Sequence, residues 1–99
     1  MSTQIHGTPL NSLALQQLDG ANLSGLSLRD TDFTDASLGG ANLSGADLSG
    51  SILWDANLCG AVLSGAQLER TFLAGARYNQ GTVFPEGFSP NDAGMQRVD

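Results

Sequence analysis

From Gln16 to Gln80 the chain is an unbroken five-residue repeat, and nothing else in the sequence limits the fold as tightly. The thirteen units read QQLDG, ANLSG, LSLRD, TDFTD, ASLGG, ANLSG, ADLSG, SILWD, ANLCG, AVLSG, AQLER, TFLAG and ARYNQ; the central residue is Leu in eleven, Phe33 in one and Tyr78 in the last. An α-helix advances about 100° per residue, so a Leu at every fifth position would step around the cylinder by roughly 140° and leave no stripe. A flat strand alternates its faces with period two, and because five is odd, successive Leu residues would point to opposite sides of a sheet. The spacing is satisfied by a coil of short sides, each one pentapeptide long, with the central residue pointing inward before the chain bends. That is a solenoid.

The motif A(D/N)LxG, seen in ANLSG, ADLSG and ANLCG, resembles that of the pentapeptide-repeat family, and the resemblance covers about two thirds of the chain. It implies an all-β fold, a right-handed quadrilateral β-helix of about three to four coils with short terminal caps. Four pentapeptides then make one turn, residues twenty apart stack, and coils repeat at about 4.8 Å, so thirteen sides build a column about 16 Å tall. Leu23, Leu43 and Leu63 form one interior column, and Leu28, Leu48 and Leu68 a second. Phe33, Leu53 and Leu73 form a third, and Leu18, Leu38, Leu58 and Tyr78 a fourth.

The other positions have their own requirements. Two residues before the centre stands a small residue, most often Ala, which shares the interior. Two residues after it stands Gly in eight units, at a corner where a type II turn needs φ > 0. Where that place holds Asp30, Asp35, Asp55, Arg70 or Gln80, a different turn type is expected, with Asp side chains bonding local backbone. On one side the small residue is Thr31, Ser51 or Thr71, whose hydroxyls face the interior and need backbone carbonyls or one another as partners.

The chain divides into an N-terminal cap (1–15), the β-helix (16–83), and a C-terminal cap with a mobile tail (84–99). Thr8 and Pro9 resemble a helix start, and Leu10, Leu13, Ala14 and Leu18 keep helical spacing, which favours a short helix as a lid over the first coil. Leu13 and Leu18 also lie in the five-residue register, so a degenerate extra repeat is the competing reading. After Gln80 the register continues through Val83 and Phe88. The segment GTVFPEGFSPNDAGM resembles the tail of small cyanobacterial members of the family, with Phe84 and Phe88 covering the open end and mobility from Asn91 to Asp99.

Chemistry-bearing groups are sparse. A formal charge of −6 opposes binding of nucleic acid through phosphates and of anionic membranes, and favours a basic partner if there is one. Cys59 is the only cysteine, so neither an internal disulfide nor a cysteine metal cluster is available. The single histidine, His6, lies in the polar N-terminal segment, and no CxxC, HExxH or phosphate-cradling loop occurs. Asp35 and Asp55, one coil apart, read as a solvated acidic face. No catalytic, cofactor or metal site is assigned, no small-molecule substrate is evident, and hydrolase activity is the least supported function. With no run of signal-peptide or transmembrane length, a cytoplasmic location is expected.

One outward surface is unusual. If twenty residues make a turn, Ile52, Trp54, Phe72 and Ala74 form a contiguous apolar patch on a surface elsewhere made of Asn, Ser, Asp and Gln. Such a patch marks a contact face, unless the C-terminal tail folds over it. The function expected is therefore a non-enzymatic structural or protein-interaction module, with a protein partner or a second copy as the occupant. The alternative comes from the resemblance: some family members act as DNA mimics that bind a type II topoisomerase (gyrase). Those members are longer and use Phe in many central positions, and about three turns are too few to imitate a long duplex.

Overall fold

Backbone pairing recurs at the twenty-residue interval that stacked columns require. In the computed structural model, which describes residues 11–99, β1 (Asn11–Ser12) pairs in parallel with β2 (Thr31–Asp32), Asn11 opposite Thr31 and Ser12 opposite Asp32. Elsewhere the residue before each central Leu makes one parallel bridge to the residue twenty further on. Gln17, Ser37, Asn57 and Arg77 form one such line, Asn22, Asn42 and Val62 a second, Ser27, Asp47 and Gln67 a third, and Asp32, Ile52 and Phe72 a fourth. Four five-residue sides thus separate each rung from the next, and the chain is a β-helix solenoid. Strands stay this short because every fifth residue is spent on a corner.

The corners are closed by a bond from the first residue of the next side to the carbonyl of the central residue, as in Ala41 N–H to Leu38 O at 3.0 Å. Glycine takes positive φ there, +69° at Gly45 and +75° at Gly50. At four of the five non-glycine corners the different turn expected does not form; at Gln80 the corner does change, with Thr82 N–H bonding Asn79 O. Asp30, Asp35, Asp55 and Arg70 adopt φ of 54°, 60°, 59° and 57°, and Ala36 and Ala56 still donate to Phe33 O and Leu53 O at 2.9 and 3.1 Å. Stacking between coils fixes the backbone path, and the residue at the corner accepts the left-handed conformation, which Asp tolerates better than Arg.

Inside, Phe33, Leu38, Leu43, Leu48, Leu53, Leu58 and Leu63 are fully buried alongside the Ala column, and Phe33 and Leu53 occupy successive rungs of one ladder. Burial of one such side chain contributes about 1.5–3 kcal/mol, against a backbone ordering cost of about 1–2 kcal/mol per residue, so coils are stable only as a stack. The interior hydroxyls find backbone carbonyls: Ser51 Oγ donates to Leu28 O at 2.6 Å, Thr31 Oγ1 to Arg29 O at 3.2 Å and Thr71 Oγ1 to Leu68 O at 2.8 Å.

Three further details depart from the sequence reading. Over residues 11–20 the favoured helix does not form; Leu13 N–H bonds Asp32 O at 2.7 Å and Leu18 N–H bonds Ser37 O at 2.7 Å, so this stretch is the degenerate extra repeat. Inter-coil pairing satisfies more backbone than one or two isolated helical turns could. Thr8, Pro9 and Leu10 lie outside the described residues. Next, the register slips by one beyond Tyr78: Val62 pairs with Val83, twenty-one residues on, which makes Phe84 the central residue. The extra residue is absorbed at Asn79–Thr82, where Thr82 N–H bonds Asn79 O at 3.0 Å and Thr82 Oγ1 donates to Leu58 O at 2.8 Å.

Last, the segment expected to be mobile is paired. β3 (Arg77–Tyr78) and β4 (Gln96–Arg97) are parallel, Val98 N–H bonds Tyr78 O at 3.0 Å, and Asp99 accepts from Gln80 N–H at 2.7 Å. The last coil presents an open backbone edge, and the tail satisfies part of it. Met95 is buried beneath this strand, while Phe84 meets Tyr78 edge-on at 5.4 Å and stacks on Phe88 at 5.1 Å, covering that end of the core.

Candidate interaction face

The rule for outward positions is set by hydrogen bonding within each side. Where Asn or Asp precedes the central residue, its side-chain oxygen accepts the backbone N–H two residues on: Asn42 from Ser44 at 3.0 Å, Asp47 from Ser49 at 3.0 Å, Asn57 from Cys59 at 3.0 Å and Asp32 from Thr34 at 2.9 Å. This is an Asx-type turn, and it gives the (D/N) of the repeat a physical reason. The Ser49 hydroxyl and N–H, with Arg29 at 3.3 Å, also hold the Asp47 carboxyl below its ordinary range. Sequence reasoning missed this role, although its two-residue spacing is visible in every NLS unit.

Two sides exchange this polar residue for an apolar one partway up, one at Val62 and the other at Ile52, and only the second exposes aromatic rings. The first two rungs of that second side carry Ser12 and Asp32, and the next two carry Ile52 and Phe72, which pair directly with each other. Neither can accept an N–H. Phe72 meets Trp54 edge-on, with ring centroids 5.9 Å apart and planes at 66°. Trp54 is nevertheless 45% exposed and Phe72 49%, while Ile52 is half-buried between them and Ala74 is exposed. All four residues expected to share a surface therefore do so.

The C-terminal tail reaches this side without covering the rings. Gly75 N–H bonds Gly94 O at 3.0 Å, so Gly94 forms the next rung above Ala74, and the chain then turns away to pair along Arg77 and Tyr78. A Cβ at Gly94 would rest in ordinary contact with Ala74, 3.6 Å from its Cα, so the glycine answers to its φ of +77°.

Charged groups frame the patch at both corners. At the corner that opens the side, the Asp30 carboxyl packs so closely on Gly50 that a Cβ there would collide with it, and Arg70 stands twenty residues above Gly50. At the corner that closes the side, the Asp55 carboxyl packs in the same way on Gly75, and Arg77 reaches around to donate to Asp55 O at 3.3 Å. The twenty-residue step already places Arg70. Arg77 comes from the neighbouring side, and no spacing in the sequence announces its contact. Among the described residues no group of three His, Cys, Asp or Glu side chains converges as a metal site, and no helix is long and apolar enough to cross a membrane.

Comparison with known proteins agrees with this architecture. The family model for pentapeptide repeats matches eight copies, over residues 17–50 and 41–77. A pentapeptide repeat protein from the cyanobacterium Cyanothece 51142 is 38% identical over 74% of this chain and 53% of its own, with a TM-score of 0.66. A pentapeptide repeat protein from the thylakoid lumen of Arabidopsis thaliana is 30% identical over 86% of this chain and 57% of its own, with a TM-score of 0.57. The chain thus spans about half the length of these two solved relatives. No functionally curated protein matches it. With the repeat model matched across most of the stacked coils and the same fold in both relatives, this chain belongs to the pentapeptide-repeat family.

Proposed function

We propose that this chain is a non-enzymatic protein-contact module, a right-handed column of three to four coils with short caps whose working surface is Ile52, Trp54, Phe72 and Ala74. One observation carries the reading. On the polar sides Asn or Asp completes the backbone bonding of its own rung, whereas Ile52 and Phe72 forgo that bond and leave an aromatic pair in water. The edge-on pair returns only part of what the exposed rings would gain under a covering surface. A contiguous apolar surface of this kind gains free energy when another surface covers it.

The test is a photo-crosslinking residue at position 72, compared with one at Ser64, an exposed position on a different side. Protein crosslinks in the native cell concentrated at position 72 support the reading; equal labelling at both positions would sink it. A gyrase supercoiling assay addresses the topoisomerase alternative, and inhibition at stoichiometric protein would replace this proposal. The cytoplasm is the compartment we propose, although the Arabidopsis relative resides in the thylakoid lumen.

A further inference from the structure

We propose that the occupant of this face is the same face of a second copy of the chain, laid antiparallel about a two-fold axis that crosses the side between the Ile52 and Phe72 rungs. The inference rests on the contact reading above and adds the identity of the partner. Such an axis lies in the plane of contact, perpendicular to the column. It exchanges the two rungs while keeping each corner opposite the same corner. Ile52 then meets Phe72 of the second copy, and Trp54 meets Ala74 of the second copy, a large side chain against a small one.

The corner charges favour a second copy as the occupant. At the opening corner the Asp30 carboxyl sits against Gly50, level with the Ile52 rung, and Arg70 stands one rung higher. At the closing corner the order is reversed, apart from Asp35, which stands in the same column one rung below Asp55. The Arg77 guanidinium is at the Asp55 carbonyl, level with the Ile52 rung, and the Asp55 carboxyl sits one rung higher, against Gly75. Exchanging the rungs therefore sets Asp30 against Arg70 and Asp55 against Arg77, each twice by symmetry. A two-fold axis along the column would also pair opposite charges, Asp30 with Arg77 and Arg70 with Asp55. A mixture of Arg70→Asp and Asp30→Arg variants separates the two arrangements, because with the axis along the column the mixture would not recover association. A uniformly basic partner would meet an arginine at both corners, despite the overall charge of −6.

Size limits the strength. Two of the five residues of a side form the corner, so its flat face is about 10 Å wide, and four rungs at about 4.8 Å make it about 19 Å tall, so each copy contributes about 200 Å². Stable interfaces use about 800 Å² per partner, so the pairing is a weak, reversible one with Kd on the order of 0.1 mM.

The experiment is sedimentation equilibrium up to about 1 mM protein, with circular dichroism melts to confirm folding of each variant. Wild type is expected to dimerise. Arg70→Asp and Asp30→Arg each set two like-charge pairs into their own dimer and are expected to weaken it about tenfold. An equimolar mixture of the two variants sets opposite charges together at that corner and is expected to recover wild-type association. Arg70→Lys keeps the charge and is expected to dimerise like wild type, which preserves the test should Asp30→Arg fail to fold. A wild type that stays monomeric at 1 mM, or folded variants that associate as wild type does, would overturn the pairing. Crosslinks at position 72 to some other protein would leave the contact reading standing while removing this one.

Discussion

Two sides of the same solenoid, equal in backbone pairing, differ in what they show to solvent. On the side built from Asn22, Asn42 and Val62, the next outward column is Ser24, Ser44 and Ser64, and both Asn side chains bond the serine N–H of their own rung. On the side built from Asp32, Ile52 and Phe72, only the Asp32 rung does so, and above it lies the Trp54–Phe72 pair. Both sides turn a Leu or Phe inward at the centre of each rung, with inward Thr31, Ser51 and Thr71 on the apolar side where the other has Ala, and the rungs stack with the same bonds. Stability is therefore decided by one residue in five together with the corner, and the outward positions are free to carry something else. The apolar side is where that freedom has been used.

The strongest test of this division sets an inward against an outward substitution on one rung. Leu53→Ala removes a fully buried side chain and is expected to cost about 2–5 kcal/mol in urea unfolding, because stacked coils cannot collapse onto the cavity. Its neighbour Ile52→Asn is expected to stay within about 0.5 kcal/mol of wild type or to stabilise, since the new amide can accept the Trp54 N–H. Equal losses at 52 and 53 would break the comparison.

Corners come next. A Cβ at Gly45 meets nothing within 4 Å, so Gly45→Ala suffers only the positive φ, about 1 kcal/mol. At Gly50 the same methyl also meets the tip of the exposed Asp30 carboxylate, which can swing aside, and Gly50→Ala is expected to cost slightly more, about 1–1.5 kcal/mol. Asp30→Gly in the Gly50→Ala background should recover the difference in thermal melts. Asn42→Ala follows at about 0.5–1.5 kcal/mol, and the matching Val62→Asn on the same side is expected to gain a similar amount.

Most of the fold could be read from the five-residue period because an inward Leu, Phe or Tyr recurs at every fifth position, fully buried through the middle coils. The columns through Phe33 and Leu53, the inward hydroxyls of Thr31, Ser51 and Thr71, and the grouping of Ile52, Trp54, Phe72 and Ala74 all follow from a single step of twenty. What the period could not supply lies where it ends. Leu13 and Leu18 fit two periodicities, and the choice between them depends on carbonyls contributed by Asp32 and Ser37, twenty residues away. The slip at Val83 depends on an extra residue whose strain Asn79 and Thr82 absorb locally. The tail reads as polar and Pro-punctuated, yet it docks because Tyr78 and Gln80 offer it a backbone edge, which no side-chain pattern encodes.

That tail supplies the smallest effect and the sharpest test of which side it serves. Asp99 accepts from the Gln80 N–H and from Arg97 Nε, both at 2.7 Å, and these bonds, the Gln80 N–H foremost, lower its carboxyl pKa while raising that of the Arg97 guanidinium. A carboxylate whose pKa is depressed by folding stabilises the folded state above its ordinary value of about 3.9 and loses that contribution as pH falls through the depressed value. The window therefore lies below about pH 4, and at neutral pH Asp99→Asn should mimic the loss. Hydrogen exchange at the Gln80 amide is expected to quicken in that variant, while Trp54 emission stays unchanged, because the tail pairs beside the aromatic face and leaves it open. A shift of Trp54 emission on releasing the tail would mean that the two surfaces are one, and would return the apolar side to the role of an internal contact.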